Sequence, residues 1–163
     1  MNTLRLLLFK HCNRRCPGCC NNDWDLDNLP RCTDFTPYNQ ILLTGGEPML
    51  HTWLIADTVR RIRLVNAAPI YMYTAMVSRP VELLGALVLL DGLTITLHEL
   101  ADASHFRVFD EMLGDLLPGK SLRLNVFEGV ELDPSKHPRW TVKSGMQWIE
   151  NCPLPANETF MRL

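Results

Sequence analysis

The sequence predicts one α/β domain built on a parallel sheet, and two observations support this. Apolar runs rich in β-branched residues alternate along the chain with segments whose apolar residues recur at helical spacing. Such alternation is typical of parallel sheets, in which a helix returns the chain from one strand to the next. The length of 163 residues suits a single domain, residues 1–163, with a core of about 3–127 and a C-terminal extension of about 128–163.

Each predicted element has a local signal. The run TLRLLLF has the composition of a strand, and the apolar residues between Leu54 and Val65 repeat at helical spacing. Pro80 suits the first turn of a helix, and Ser104 is a typical N-cap of another. In chain order we predict strand 3–9, strand 40–44, helix 52–66, strand 69–74, helix 79–90, strand 92–97, helix 104–117, strand 120–127 and a short strand 140–143.

Charge and hydropathy exclude two classes of partner. Lysine and arginine number 16 and aspartate and glutamate 18, so a net charge of -2 offers no basic field for nonspecific nucleic-acid binding. The longest apolar stretch, 83–90, is much shorter than the ~20 residues that span a bilayer, and no signal-peptide cleavage site follows the first strand. We therefore expect a cytoplasmic protein without membrane contact, in which clustered cysteines are more often metal-binding or catalytic than disulfide-bonded.

Polar residues follow the predicted strands at their carboxyl ends, where parallel sheets bind ligands. A cysteine-rich loop follows the first strand, the segment Gly45–Pro48 follows the second, and Thr74 ends the third. His98 ends the fourth strand, and Asn125 lies near the end of the fifth. We expect these groups to lie together on one rim of the sheet.

The string CNRRCPGCC contains three cysteines spaced C-x3-C-x2-C, namely Cys12, Cys16 and Cys19. A structural zinc site usually has four protein ligands, and Cys20, adjacent to Cys19, is poorly placed to complete the same tetrahedron. Cys32 or Cys152 could complete a zinc site; otherwise both are ordinary thiols. Three thiolates on a cubane of four irons instead leave one iron open to a ligand.

Two motifs together resemble the radical S-adenosylmethionine (radical SAM) superfamily: the three spaced cysteines after the first strand, and GGEP after the second. The resemblance implies a [4Fe-4S] cluster on Cys12, Cys16 and Cys19, with SAM bound to the open iron and an external one-electron reductant. It also implies a partial parallel (β/α) barrel of five to six strands, open on one side. The segment that would contact the methionine amino group comprises Gly45, Gly46, Glu47 and Pro48.

Further cofactor-binding residues follow from the predicted strands. Thr74 is a candidate contact of the ribose, and His98 of SAM or substrate, although a lone histidine is more often a hydrogen-bonded structural residue. Arg123 and Asn125 share one face of the fifth strand, and a guanidinium is well shaped to bind the carboxylate of SAM. A solvated edge strand explains Arg123 nearly as well.

The substrate class stays open at this point. The string CPGCCNND, with Asn21, resembles the activating proteins of anaerobic ribonucleotide reductase, which implies a glycyl radical protein as partner. An enzyme like 7-carboxy-7-deazaguanine synthase, or another that modifies a small molecule, nucleotide or peptide, is an alternative. A non-enzymatic iron–sulfur or zinc protein is an alternative of another class. The chain departs from the superfamily at Gly18, where an aromatic residue is common, and its C-terminal extension either covers the open side of the barrel or binds a partner.

Overall fold

The structure is a computed structural model that describes residues 2–163. The strands within those residues are β1 (Thr3–Leu7), β2 (Gln40–Thr44), β3 (Ile70–Thr74), β4 (Gly92–Leu97), β5 (Ser121–Phe127), β6 (Thr141–Met146) and β7 (Glu158–Arg162). The helices are α1 (Thr52–Arg63), α2 (Pro80–Leu89) and α3 (Leu100–Leu113), with short 3-10 turns at Cys20–Asn22, Pro48–His51 and Pro134–Lys136. Every strand pair is parallel, and the order across the sheet is β6-β5-β4-β3-β2-β1-β7.

This arrangement confirms the α/β class and the parallel sheet, but the predicted strand count is wrong. Residues 2–163 form seven strands rather than five to six, because the C-terminal extension contributes β7 beside β1. The five residues of β7, ETFMR, follow a proline-rich stretch and carry too short an alternation to stand out in the sequence. β6 and β7 are the two edges of the sheet, so the strands form an open sheet rather than a closed barrel.

Helix α3 begins earlier than predicted. It starts at Leu100, since Glu99 and Asp102 form a reciprocal capping box, so Ser104 lies inside the helix instead of capping it. The other helices match the sequence pattern, and Pro80 occupies the first turn of α2 as expected. Among residues 2–163, none of the helices combines the length and apolar character needed to cross a bilayer.

The helices cover one face of the sheet. β2 to β5 are sequential neighbours, so right-handed connections put α1, α2 and α3 on the same side. The alternate strand residues that point to this side are fully buried, for example Leu6, Leu43 and Ile95. The opposite face, here called the cavity face, carries residues such as Arg5, Tyr73 and Asn125 and bears the cavity described next.

Candidate functional site

A cavity of about 380 Å³ opens at the carboxyl ends of the central strands. That volume is within the range of small-molecule sites, about 300–1,000 Å³. The cavity is lined by the three spaced cysteines, by all four residues of Gly45–Pro48 and by Thr74, His98 and Asn125. The structure therefore brings together all but one of the residues that the sequence predicted for the site.

The exception is Arg123. Its side chain is exposed and lies outside the cavity lining, although Asn125, two residues further along the same face of β5, lies within it. The arginines that do line the cavity are Arg5 on β1 and Arg14 in the cysteine loop, neither of which the sequence analysis selected. Arg5 occupies an alternating position of β1 that a sequence pattern cannot distinguish from a solvent-facing one.

The cysteine loop and the Gly-Gly-Glu-Pro segment are joined by their backbones. The Gly46 N–H donates to the carbonyl of Phe9 at 2.8 Å, and the Glu47 N–H donates to that of His11 at 3.0 Å. A Cβ on Gly46 would lie 1.8 Å from the His11 carbonyl oxygen. Gly46 is therefore required by the contact between the two motifs, whether or not a ligand lies against it.

Asn21 makes a second link between the two motifs. Its side-chain amide donates to the carbonyl of Gly45 at 2.8 Å. Gly45 is also tightly packed, since a Cβ there would lie 2.9 Å from the Phe9 carbonyl oxygen. These contacts fix the separation of the loop that follows β1 from the segment that follows β2.

Glu47 is buried and bonded to its own chain. Its Oε1 accepts from the Met49 N–H at 3.0 Å and from the Thr74 hydroxyl at 2.6 Å, and its Oε2 accepts from the Ala75 N–H at 2.9 Å. Burial raises the pKa of this carboxyl above its usual value. A carboxylate oxygen accepts about two hydrogen bonds, so only Oε2 keeps a free position for a ligand. The Thr74 hydroxyl, which accepts from the Met76 N–H, has no proton left for a ribose.

Arg14 fastens the cysteine loop to the far side of the rim. Its guanidinium forms an ion pair with the buried Asp102 through both terminal nitrogens, reaches Glu99 at 3.4 Å and donates to the Ala75 carbonyl at 3.3 Å. The hydrogen bond with Asp102 raises the pKa of Arg14. Asp102 also accepts from the backbone N–H of His98 at 2.8 Å. Arg14 thereby connects the loop to the ends of β3 and β4, a role whose only sequence signal is an acidic residue early in α3.

The three spaced cysteines share one electrostatic environment. The Arg14 N–H donates to the Cys12 sulfur at 3.4 Å, and the Cys19 N–H donates to the Cys16 carbonyl at 3.3 Å. Burial raises the pKa of the Cys16 thiol, and the negative charges of Cys19 and Cys12 raise it further. Residues 2–163 nevertheless contain no group of three or more His, Cys, Asp and Glu side chains arranged to hold a metal ion.

The other cysteines are accounted for separately. Cys20 and Cys152 form a disulfide with a Cα–Cα distance of 5.2 Å, so the prediction that Cys152 is an ordinary thiol is wrong. Cys32 is buried, and its thiol donates to the Asp34 carbonyl at 3.4 Å. Neither Cys32 nor a free Cys20 is therefore present in the cavity as a fourth thiol.

The C-terminal extension covers the open side of the sheet. Residues 147–157, here called the strap, connect β6 at one edge of the sheet to β7 at the other. Several of them line the cavity, including Trp148, Ile149 and Pro155. The strap is fixed at Cys152, whose N–H donates to the Asp23 carboxylate at 2.9 Å and whose carbonyl accepts from the Trp24 indole at 2.8 Å.

Trp148 of the strap packs at the predicted cofactor site. Its ring stacks on His98, with centroids 5.0 Å apart and an angle of 6° between the planes, and lies 4.4 Å from the ring centroid of Phe127. A Cβ on Gly18 would lie 2.4 Å from the Trp148 Cβ, so the glycine before the third spaced cysteine makes room for this indole. Among the described residues, the buried Nδ1 of His98 has no hydrogen-bond partner, and burial lowers the pKa of its ring.

Similarity to known proteins does not identify the site. No protein-family model matches it, and no curated protein and no solved structure matches it significantly. The resemblance to the radical SAM superfamily therefore depends on the two motifs and on where the fold puts them.

Proposed function

We propose that this protein is a radical SAM enzyme, which cleaves SAM reductively to methionine and a 5'-deoxyadenosyl radical that takes a hydrogen atom from a substrate. The observation that carries the proposal is the junction of the two motifs. Cys12, Cys16 and Cys19 line one cavity with the Gly-Gly-Glu-Pro segment, and the backbones of the two motifs are hydrogen-bonded to each other. A protein that merely stored a metal ion would not need that second segment.

The thiols fit a cluster in number and chemistry. Three free thiols line the cavity and no fourth does, which suits a cubane with one open iron better than a four-ligand zinc site. Sulfurs that bind one zinc ion lie about 4 Å apart, whereas the cysteines of a cubane bind different irons and are spaced more widely. The [4Fe-4S] cluster stays a prediction that rests on this donor set. When bound, it supplies the electron that breaks the carbon–sulfur bond of SAM.

The residues of the chain position the ligand and exclude water. Glu47 holds the Gly-Gly-Glu-Pro segment against β3, and the free position on its Oε2 is available to an ammonium group such as that of SAM. Arg14 holds the cysteine loop against α3. The strap covers the cavity from the side, which limits contact of a reactive radical with solvent.

The strap also favours a small substrate. The expectation of a glycyl radical protein as partner rests on the resemblance of CPGCCNND to the activating proteins and on a barrel that is open on one side. Because residues 147–157 occupy that side, a partner is not needed to complete the cavity wall. We therefore propose modification of a small molecule as the better supported reaction, and activation of a partner protein as the alternative. The external one-electron reductant is required in either case.

Anaerobic reconstitution tests the cluster. The wild-type protein is expected to take up about four irons per chain, and Cys12→Ala to lose that uptake. Cys32→Ala is the matched control, since this thiol is buried away from the cavity and its loss should leave iron uptake unchanged. Stoichiometric zinc with no iron uptake would favour the non-enzymatic alternative and end the proposal.

Product release tests the reaction. With a strong one-electron reductant, the reconstituted protein is expected to form 5'-deoxyadenosine and methionine from SAM in equal amounts. Glu47→Ala is expected to weaken SAM binding, partly through the contacts that it removes from Thr74 and Ala75. A reconstituted cluster whose spectrum does not respond to SAM contradicts the proposal.

A further inference from the structure

Arg5 of β1 lines the same cavity, on the cavity face of the sheet. Its side chain is only 12% exposed, and its Nε donates to the Glu158 carboxylate at 2.7 Å. The guanidinium carbon lies 5.6 Å from the ring centroid of Trp24 and 5.4 Å from that of Tyr73. An ion pair at one nitrogen and two aromatic rings therefore hold this group in place.

The terminal nitrogens of Arg5 are not used by the protein. Among residues 2–163, Nη1 and Nη2 of Arg5 have no hydrogen-bond partner, and neither has the hydroxyl of Tyr73. Arg14 is the other arginine of the cavity, and both of its terminal nitrogens already donate hydrogen bonds, to Asp102, Glu99 and a backbone carbonyl. Arg5 is thus the arginine of the cavity lining whose terminal nitrogens are not bonded to the described residues.

The chemistry of these donors selects an anionic oxygen group. Two terminal guanidinium nitrogens match the oxygen atoms of a carboxylate or phosphate in a two-point contact. A rigid, largely desolvated guanidinium loses little side-chain freedom when it binds, and its attraction to an anion is less screened than in water. Tyr73, whose ring packs against this guanidinium and which also lines the cavity, adds a neutral hydroxyl donor.

The position of Arg5 separates it from the predicted SAM site. In the ladder of β1 and β2, Arg5 lies level with Leu42, whereas the Gly-Gly-Glu-Pro segment begins after Thr44 at the end of β2. The spaced cysteines likewise follow the end of β1. Arg5 therefore lies further from the carboxyl-end rim of the sheet than the groups expected to hold the cluster and SAM.

We propose that Arg5 and Tyr73 bind a carboxylate or phosphate group of the substrate. The assignment to a substrate rests on the proposed function, but the anion site itself does not. The substrate class is accordingly a small organic acid or phosphate ester whose anionic end lies between β1 and β3, with its remainder directed toward the rim.

Tryptophan indole resonances test the site without a cluster or SAM. The chain has four tryptophans, so 15N-labelled full-length protein gives four indole signals, and Trp24→Phe identifies that of Trp24. Sodium acetate and sodium phosphate are titrated separately against sodium chloride at equal ionic strength. We expect one or both oxyanions to move the Trp24 signal saturably, while the exposed Trp53 stays fixed.

Variants identify the group that binds. R5Q is expected to weaken the oxyanion about tenfold or more, since a two-point charged contact is lost. Y73F removes the hydroxyl but keeps the ring, and it is expected to weaken oxyanion binding about threefold. This variant still tests the site if R5Q does not fold. R123Q is the matched control, because this arginine on the same face is exposed and outside the cavity.

Each result decides a different claim. A Trp24 signal that neither oxyanion moves, or equal affinity in wild type, R5Q and Y73F, overturns the anion site. Binding of the oxyanion to reconstituted protein saturated with SAM supports the substrate assignment, and competition with SAM overturns it. Failure of SAM cleavage alone ends the proposed function and leaves the anion site standing.

Discussion

The two faces of the sheet differ in how their side chains are used. On the helix-covered face, residues such as Leu6, Leu43 and Ile95 are fully buried beneath α1, α2 and α3. On the cavity face, Arg5 and Thr96 line a cavity that the strap covers from one side. The first face stabilises the fold by packing, and the second leaves room because one irregular segment, rather than a row of helices, covers it.

This difference shows where the capacity to bind a ligand originates. A helix presents a dense apolar stripe that fills the space above a sheet, so it leaves no cavity. The strap crosses the cavity face as a single non-helical segment, held at Cys152 and by the packing of Trp148 on His98. Substitutions on the two faces are therefore expected to have unequal effects on stability.

The largest expected difference in unfolding free energy is between alanine substitutions of two phenylalanines. Phe106→Ala on the helix-covered side removes a fully buried ring and should lower the free energy of unfolding by about 3–5 kcal/mol. Phe127→Ala on the cavity side removes a half-buried ring and should cost about 1 kcal/mol. Urea unfolding measures both. Equal losses would show that the cavity face is packed as tightly as the helix-covered face.

Gly46→Ala tests the contact between the two motifs. The added Cβ meets the carbonyl oxygen of His11, which belongs to backbone and cannot swing aside, so we expect a loss of about 3 kcal/mol in unfolding free energy. Gly85→Ala is the control, because nothing lies within 4 Å of its Cβ position on α2. That helix substitution should stabilise the protein by about 0.5–1 kcal/mol. A tolerated Gly46→Ala would mean that the loop can move away from β2.

Cys152→Ser tests how firmly the strap is held. The disulfide joins residues separated by 132 positions, and loss of such a link typically lowers stability by about 2–4 kcal/mol. Thermal unfolding with and without dithiothreitol should show a wild-type protein that is sensitive to reductant and a variant that is not. If reductant affects both proteins alike, the disulfide does not hold the strap in solution.

The smallest effect is a pH dependence at Asp110 on α3. Burial alone would raise the pKa of Asp110, but hydrogen bonds from His137 and Trp140 outweigh burial and lower it. A carboxyl whose pKa is lower in the folded state than in the unfolded state stabilises the folded protein at any pH above its unfolded pKa of about 3.9. That stabilisation is lost as the pH falls through the folded pKa.

Asp110→Asn should therefore destabilise the protein at neutral pH and make little difference well below pH ~3.9. Urea unfolding measured from neutral to acid pH should show the stability of Asp110→Asn approaching that of wild type as the pH falls. Asp115→Asn, at an exposed position after α3, is the control and should run parallel to wild type. Parallel curves for Asp110→Asn and wild type would contradict the role assigned to these hydrogen bonds.

The sequence predicted the part of the molecule that local patterns determine. Strands β1 to β5 and their parallel order follow from periodicity and alternation, and the rim residues follow from where those strands end. Coverage of the open side by the C-terminal extension was one of two expectations from the sequence. The path of the strap and the pairing of β7 with β1 could not be predicted, because they depend on contacts with residues far away in the chain, such as Asp23 and Trp24 for the strap. Proline-rich, non-periodic segments carry no local signal for such contacts.

The roles of individual residues were harder to predict than their locations. Glu47 lies in the cavity as expected, yet its oxygens bind Thr74 and Ala75, which the string GGEP cannot reveal. Arg123 and Arg5 both alternate with apolar residues, and only the three-dimensional arrangement distinguishes the exposed side chain from the cavity side chain.

The pairing of β1 with β7 has a consequence for folding kinetics. Arg5 and Glu158 are 153 residues apart in the chain, and chains that depend on such distant contacts fold slowly because loop closure precedes any gain from the contact. Strands β2 to β5 need only neighbouring segments and are expected to form first. The cavity wall made by Arg5, Trp24 and the strap then forms last, and amide hydrogen exchange in β7 should be faster than in β3 at equilibrium.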